Sequence, residues 1–372
     1  MDIRLSDRQA GVRDRLGELL TPDVVATLRR LGERPLGAGA AAEPEPAEAA
    51  ARDSVWAVLC ELEIPALATA TDRHAELVVA ADLLGHALYV SPLTDHVAAA
   101  RLVREAPDRL GLLSGLASGR RTVALAVRDA ADPGPSTVEV HGDGTRISAH
   151  RRFVAFAAGA DQLLVVGRPA GDAGLGVAVV ARDQPGVLLR RQDDIGRGDL
   201  YAVTLREATV LDWLGGSPQW TDAPAAYAAA LRAARLYQAA YLVGLARGAL
   251  ELTVAYVKER QQFGQPVARF QAPAFRLAAL HARTAAVGDL VHLGAWEADD
   301  GRDFGPTALR ALLLAGELAR DASAEAIQLH GAYGMTERCD AQRFYRRAAV
   351  DAIWLGTPGA LRTELARQLP GG

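Results

Sequence analysis

The sequence has little of several features that would assign it to a class. Its two cysteines, Cys60 and Cys339, are too few for a disulfide scaffold or a metal cage. A net charge of −4 argues against nonspecific binding to nucleic acid or to an anionic membrane. Residues 1–16 carry charges every few positions, which is not the pattern of a signal peptide. Because no segment offers about 20 uncharged apolar residues, we expect no membrane span. The low cysteine count fits a reducing, cytoplasmic setting.

The chain does have ample apolar sequence. Half of its 372 residues are hydrophobic, and the length suggests two or three domains. Helical periodicity covers Ser6–Leu31, with a break at Thr21-Pro22-Asp23, and returns over Ser54–Leu62 and His74–Arg104. We therefore predict an N-terminal helical domain over residues 1–118. Within it, residues 33–53 are rich in Ala, Pro and Glu, and we expect a mobile loop there.

The pattern changes near Arg121. Short β-branched runs bounded by Gly, Pro and Asp predict strands, and Gly142-Asp143-Gly144 predicts a hairpin turn. We assign residues 119–215 to a small β domain and residues 222–372 to a C-terminal helical bundle. Four long helical segments make an antiparallel bundle the natural arrangement: they lie near 225–258, 271–299, 306–330 and 338–369. The predicted fold class is α+β, mainly α.

One stretch in the bundle has an unusual composition. KERQQFGQPVARFQAPAFRLAAL, Lys258–Leu280, joins the first two long helical segments. The first helix must end there because Pro266 has no backbone N–H to donate. Gly264 can adopt the left-handed conformation that a helix exit commonly needs. The joint also brings a cation, Arg260, close to an aromatic residue, Phe263.

This joint closely resembles the signature of the acyl-CoA dehydrogenase superfamily. A second stretch, Ala324–Leu361, is similar to the closing segment of that family. The resemblance extends over roughly the C-terminal 150 residues, about one domain. It implies an N-terminal helical domain, a middle β-barrel-like domain and a C-terminal four-helix bundle. It also implies FAD as the cofactor and an acyl thioester, of coenzyme A or a carrier protein, as the substrate.

The resemblance further implies a site built from two chains. In the family, residues of the joint and of the closing segment reach the flavin that is held mainly by the neighbouring subunit. A cation there suits the pyrophosphate, and an aromatic side chain suits the adenine end. The alternative for Arg260 is a cation stabilised by the helix dipole. The predicted cofactor-binding residues are Arg260, Phe263, Gln271, Gln328, Leu329, His330 and Gly331.

The segments that hold the flavin ring in this family depart from its pattern here. An acidic-Pro-x-x-Gly-Ser stretch is replaced by Ala126–Ser136, and a Lys-x-Trp-Ile-Thr stretch by Arg151–Phe156. Phe153 can stand in for the tryptophan as a wall of the ring site. Ala155 stands where the family has threonine and cannot donate a side-chain hydrogen bond to the ring.

The catalytic base of the family is also missing. Most members carry a glutamate directly before Gly-Thr in the closing segment, where this chain has Leu355. Others carry it on the helix before the joint, where this chain has Ala234. Neither side chain can accept a proton. Asp351 is the nearby carboxylate that could substitute, whereas Glu251 and Glu259 are expected on the helix surface.

Three functions follow from this pattern. The first, which we predict, is a partner subunit that completes the FAD site of a related catalytic chain in the α,β-dehydrogenation of an acyl thioester. The second is a self-sufficient homomeric FAD-dependent acyl-CoA or acyl-carrier-protein dehydrogenase, or an oxidase, with an unusual base. The third is a non-enzymatic binding protein on the same fold. The first is favoured because the losses fall on one side of the two-chain site.

Overall fold

The structure is a computed structural model. It describes residues 5–31, 55–129, 134–171, 174–192, 195–196 and 199–368. Helices come first, a sheet follows, and long helices complete the chain, in the predicted α+β arrangement. The predicted mobile loop, residues 33–53, lies outside the described residues. The domain boundaries at 118/119 and between 215 and 222 remain predictions.

The N-terminal helices begin and end at residues that the sequence marks. Ser6 caps the first helix through a capping box with Gln9, since Ser6 N donates to Gln9 Oε1 at 2.8 Å. Pro22 starts the second helix, as the Thr-Pro-Asp break predicts. The helices are α1 Asp7–Leu19, α2 Pro22–Leu31, α3 at 55–61, α4 Ile64–Thr69, α5 His74–His86, α6 Leu93–Arg104 and α7 Leu112–Ala117.

The middle of the chain forms one sheet with eight strands. The strands are β1 Val123–Ala126, β2 Thr137–His141, β3 Arg146–Ala155, β4 Gln162–Pro169, β5 Gly176–Ala181, β6 Val187–Gln192, β7 Leu200–Thr209 and β8 Asp212–Trp213. Their order is β6-β7-β3-β2-β4-β5-β8, and β1 pairs with β4 in parallel. The hairpin turn predicted at Gly142-Asp143-Gly144 is confirmed, because His141 pairs with Arg146 across it. Gly142 and Gly144 take φ values of +62° and +93° there.

The C-terminal helices are α8 Ala223–Glu259, α9 Gln271–Asp299, α10 Gly305–His330, α11 Asp340–Asp351 and α12 Pro358–Ala366. By length and composition α8 alone, among the described helices, could cross a membrane. However, 67% of its most apolar window is buried inside the protein. That burial is typical of a helix in the core of a folded protein.

The predicted single segment near 338–369 is wrong in one respect. The chain breaks it into α11 and α12, with residues 352–357 between them. Gly356 takes a φ of +144°, and Pro358 begins the next helix because it cannot continue the previous one. This break carries Trp354 and Leu355, the position at which the family has its base.

The contact between α5 and α8 joins the N-terminal helices to the bundle. A Cβ on Gly244 would lie 1.8 Å from the Asp82 carbonyl oxygen, and a Cβ on Gly85 would lie 1.9 Å from the Tyr241 carbonyl oxygen. The two helix backbones therefore touch directly, and glycine is required on both sides of the crossing.

We expect Gly244→Ala to lower the free energy of unfolding by about 2–3 kcal/mol, because its methyl group would force α5 and α8 apart. Gly288→Ala is the matched control on α9. Its added Cβ would meet only Val243 Cγ1 at 3.8 Å, so it should be neutral or stabilising by up to about 1 kcal/mol. Urea unfolding of both variants checks this. Equal stabilities for the two variants would contradict the close helix contact.

Two histidines are buried in the N-terminal helices. His96 is fully buried, and its ring meets the Trp56 ring edge-on at 5.4 Å. Desolvation lowers the pKa of His96 to about 4, although Asp161 opposes the shift. His74 lies 2.5 Å from an Arg101 Nη2 atom, and desolvation followed by that cation lowers the pKa of His74 to about 3.

Stability should therefore fall on acidification. Below pH 6.5, the ordinary pKa of histidine, His96 is protonated in the unfolded chain. In the folded chain it stays neutral down to about pH 4. We expect His96 alone to remove roughly 3 kcal/mol of stability between pH 6.5 and pH 4. Urea unfolding across this range should show a slope that His96→Leu reduces. Parallel curves for the wild type and the variant would refute the assignment.

Candidate functional site

The joint after α8 has the geometry that its sequence predicts. The Arg260 backbone N–H donates to Tyr256 O at 2.8 Å, and its carbonyl accepts from Val267 N at 2.8 Å. Between them runs a small hairpin, β9 Gln261–Gln262 and β10 Gln265–Pro266. Phe263 at φ +51° and Gly264 at φ +79° make its turn. The turn leaves the Phe263 side chain 93% exposed, with Phe270 edge-on 6.3 Å away.

The end of α10 lies against the end of α8. His330 is buried, and its ring stacks on Tyr256 at 4.2 Å while its Nδ1 lies 2.7 Å from Ala326 O. Desolvation lowers the pKa of His330, and the contact with Ala326 partly opposes this. The His330 ring is therefore committed to packing. Gly331 ends the helix at φ +62°.

The other predicted contacts open to solvent at the same end of the bundle. Gln271 begins α9 and Gln328 lies in the last turn of α10, and both are exposed, whereas Leu329 is half-buried. Gln328 borders a cavity of about 770 Å³ between α9 and α10. Across that cavity Arg276 and Arg283 pair with Glu325 and Asp321. The structure thus brings the joint and the end of α10 together, as the sequence predicts.

A different set of residues meets where the sheet contacts the segment between α11 and α12. Arg128, in the segment after β1, lies over the Phe153 ring at 5.8 Å and over the Trp354 ring at 5.7 Å. Its Nη2 also donates to Trp354 O at 3.2 Å. The three segments that the family resemblance assigns to the flavin ring and the base therefore converge here on one guanidinium group.

A bulge in β3 aims Phe153 at this point. The β3–β7 register shifts between Arg151 and Val154, and Phe153 has a φ of +57°, which is uncommon for a bulky residue. The Phe153 N–H, released from the ladder, donates to Gln192 Oε1 at 2.7 Å. Ala155 is buried two residues further on and presents no polar group.

The two base positions are apolar and packed. Ala234 is buried, and Leu355 packs against the same apolar cluster. Arg235 holds this region together, since it donates to Leu355 O at 3.4 Å and to both Glu364 oxygens at 2.7 and 2.8 Å. The carboxylate of Glu364 is thereby committed to a charge-assisted pair.

Asp351 lies inside the protein and not in an open site. It is fully buried, and its backbone carbonyl accepts from Gln238 Nε2 at 3.2 Å. The cavity that it borders measures only about 10 Å³, which is room for about one water molecule. Glu251 pairs with His86 at 2.8 Å and with Arg247 at 3.5 Å, as expected of a helix-surface carboxylate.

These observations test the fit of a flavin dinucleotide to this chain. The joint, with its exposed cation and aromatic ring, suits a pyrophosphate and an adenine. The ring segments do not suit an isoalloxazine, because Arg128 takes the space that Phe153 and Trp354 face. Sequence reasoning missed Arg128, Trp354 and Glu364. The signal for Arg128 in the sequence was that an arginine lies in the stretch where the family has acidic-Pro-x-x-Gly-Ser.

Comparison with known proteins agrees with this architecture. The family model for the acyl-CoA dehydrogenase C-terminal domain matches residues 225–369. The probable acyl-CoA dehydrogenase YngJ of Bacillus subtilis is 40% identical over 135 residues, which are 36% of this chain and 36% of YngJ. The sequence match therefore spans about a third of that relative.

Two solved structures extend the match in fold to the whole chain. Butyryl-CoA dehydrogenase from Megasphaera elsdenii aligns with a TM-score of 0.83, 20% identity and 99% of both chains. The ChsE4-ChsE5 complex from Mycobacterium tuberculosis aligns with a TM-score of 0.80, 22% identity and 100% of both chains. At these identities the structures establish the fold, and the family model adds the sequence signature. Residues 225–369 therefore carry the sequence signature of the acyl-CoA dehydrogenase C-terminal domain, and the whole chain has the acyl-CoA dehydrogenase fold.

Proposed function

We propose that this chain is the non-catalytic subunit of a heteromeric flavoprotein oxidoreductase. It lends the joint and the end of α10 to FAD held by a related chain, and that chain supplies the glutamate base for α,β-dehydrogenation of an acyl thioester. The observation that carries the proposal is the division between the two half-sites. The half-site at the joint and the end of α10, which would serve a neighbouring chain, keeps the family residues and is exposed. The half-site around Phe153, Trp354 and Leu355, which would serve this chain, is occupied by the chain's own side chains.

The geometry of α8 supports a site shared between chains. Ala234, at one base position, and Arg260, at the joint, are separated by 26 residues of one helix. At 1.5 Å per residue they lie roughly 40 Å apart, beyond the reach of a single dinucleotide. A flavin that touches the Arg260 end must therefore place its ring against another chain.

The exposed half-site supports the same proposal. Among the described residues, the Arg260 side chain has no ion pair and no hydrogen bond, and the exposed Phe263 ring has Phe270 edge-on 6.3 Å away. Gln271 and Gln328 are exposed as well. An uncompensated cation next to an exposed aromatic ring, both held by a tight turn, suits an anionic, aromatic ligand supplied from outside the chain.

The packing at the two base positions supports a non-catalytic role for this chain. Ala234 belongs to an apolar cluster, and Leu355 packs against that cluster. Arg235 donates a hydrogen bond to the Leu355 carbonyl oxygen and so holds Leu355 in place. Asp351, which a self-sufficient enzyme would need as its base, is enclosed beside a cavity of about 10 Å³. The partner is expected to be a related chain with an intact glutamate before Gly-Thr. The solved ChsE4-ChsE5 complex is a two-component assembly with this fold.

Co-expression with such a related chain tests the proposal. We expect FAD to co-purify with the pair and not with this chain alone. Arg260→Ala in the pair should weaken FAD retention about 10- to 100-fold, because a charge-assisted contact contributes about 1.5–3 kcal/mol. The matched control is Arg302→Ala, an exposed arginine at the opposite end of α9 that pairs with Asp300.

FAD bound to the isolated chain at one per chain would overturn the partner role. Unchanged FAD retention by the Arg260→Ala pair would instead show that Arg260 is only a cation at a helix end. Flavin absorbance after gel filtration measures both.

A further inference from the structure

We propose that Arg128 is a built-in replacement for the flavin ring in this chain: its guanidinium closes the ring position and clamps the β domain to the segment between α11 and α12. This inference rests on the proposed function in one respect only, namely that this chain's own ring position is not used. It concerns the chain by itself and requires no partner.

The guanidinium is suited to the task because it is flat. It presents a planar, delocalised cation to the faces of Phe153 and Trp354 at 5.8 and 5.7 Å, and it donates to Trp354 O at 3.2 Å. Planar arginine groups stack on aromatic rings in a way that the point charge of lysine does not. One side chain therefore bridges β3, on the sheet, and the segment that contains Leu355.

The Arg128 side chain is half-buried and, among the described residues, contacts a carbonyl and two aromatic rings and no carboxylate. Desolvation lowers the pKa of Arg128, and nearby Tyr227 opposes the shift. Burying a cation is costly unless polar and aromatic contacts replace water. Here a carbonyl and two aromatic faces do so, which indicates a built contact and not a surface side chain folded inward.

The backbone around Arg128 is fixed by a neighbouring arginine that is fully buried. Arg151 is 1% exposed, and its guanidinium donates to five carbonyl oxygens at 2.9–3.3 Å. Three of them, on Ala126, Ser136 and Thr137, lie at the two ends of the segment that carries Arg128.

Further hydrogen bonds link the described residues at the two ends of that segment. Ser136 N donates to Val127 O at 3.0 Å, and Asp129 N donates to Ser136 Oγ at 2.7 Å. Arg128 itself accepts at its carbonyl from Arg152 N at 2.9 Å. Arg151 is therefore a positioning residue for Arg128. Gly167 is required beside it, since a Cβ there would lie 2.6 Å from Arg151 Nη2.

Hydrogen exchange of the full-length chain tests the clamp. In Arg128→Ala, amides of residues 352–357 should exchange at least 10-fold faster than in the wild type, because the contact that holds Trp354 is gone. The matched control is Arg152→Ala, which removes a guanidinium 5.2 Å from the same Phe153 ring without a contact to Trp354. It should leave residues 352–357 unchanged.

A titration with lumiflavin, the ring without phosphates, tests the closure independently. The wild-type chain should show no saturable quenching of lumiflavin fluorescence. Saturable binding at one per chain, or unchanged exchange of residues 352–357 in a folded Arg128→Ala protein, would overturn the proposal. If Arg128→Ala does not fold, Trp354→Ala should accelerate exchange of residues 123–129 by a similar factor, and no acceleration there would refute the clamp.

The result is separable from the partner role. Lumiflavin has no pyrophosphate for Arg260 to bind, and the exchange experiment uses this chain alone. If the clamp experiments fail but FAD retention depends on Arg260, this inference is wrong and the proposed function stands. If the clamp experiments succeed but FAD retention does not depend on Arg260, the role of Arg260 in the proposed function is wrong and this inference stands.

Discussion

The close crossing of α5 and α8 is the contact on which the rest of the structure depends. Gly85 and Gly244 let the two backbones touch, and this contact fixes the N-terminal helices on the one helix that runs the length of the bundle. The same α8 carries Ala234 and Arg235 in its first half and ends at Arg260. Any change that separates α5 from α8 would disturb both half-sites together.

The arginines near the two ends of α8 differ in whether they have partners within the chain. At the joint, Arg260 is exposed and has no partner within the described chain. Near the other end, two arginines contact other parts of the chain: the buried Arg235 donates to Glu364 and Leu355 O, and the half-buried Arg128 donates to Trp354 O. In the proposed account, these guanidinium groups are structural contacts at the place where a catalytic chain would hold its flavin ring.

Much of this arrangement could be predicted from the sequence, since it depends on local signals. The breaks at Pro22 and Pro266, the hairpin at Gly142–Gly144 and the long apolar periodicity each fix an element through its own residues. The family resemblance at the joint and in the closing segment predicted Arg260, Gln271 and Gln328 as flavin contacts, which stays a prediction; the structure exposes all three.

The rest depends on contacts between distant segments. Arg128 and Trp354 are 226 residues apart, and nothing in either local sequence indicates that they meet. The interruption between α11 and α12 was also missed, because helical periodicity continues on both sides of Gly356. Asp351 appeared available as a base in sequence because its burial is a property of the packed helices and not of its neighbours.

The most direct test of the account is an activity measurement on the purified chain alone, supplied with FAD and offered acyl thioesters of several chain lengths. The account predicts no turnover above background, because, in the part of the chain that the structure describes, both base positions are apolar and Arg128 lies between Phe153 and Trp354. Asp351→Asn supplies the comparison, and it should make no difference. Turnover by the isolated chain that Asp351→Asn abolishes would contradict the partner-subunit account and establish a self-sufficient enzyme.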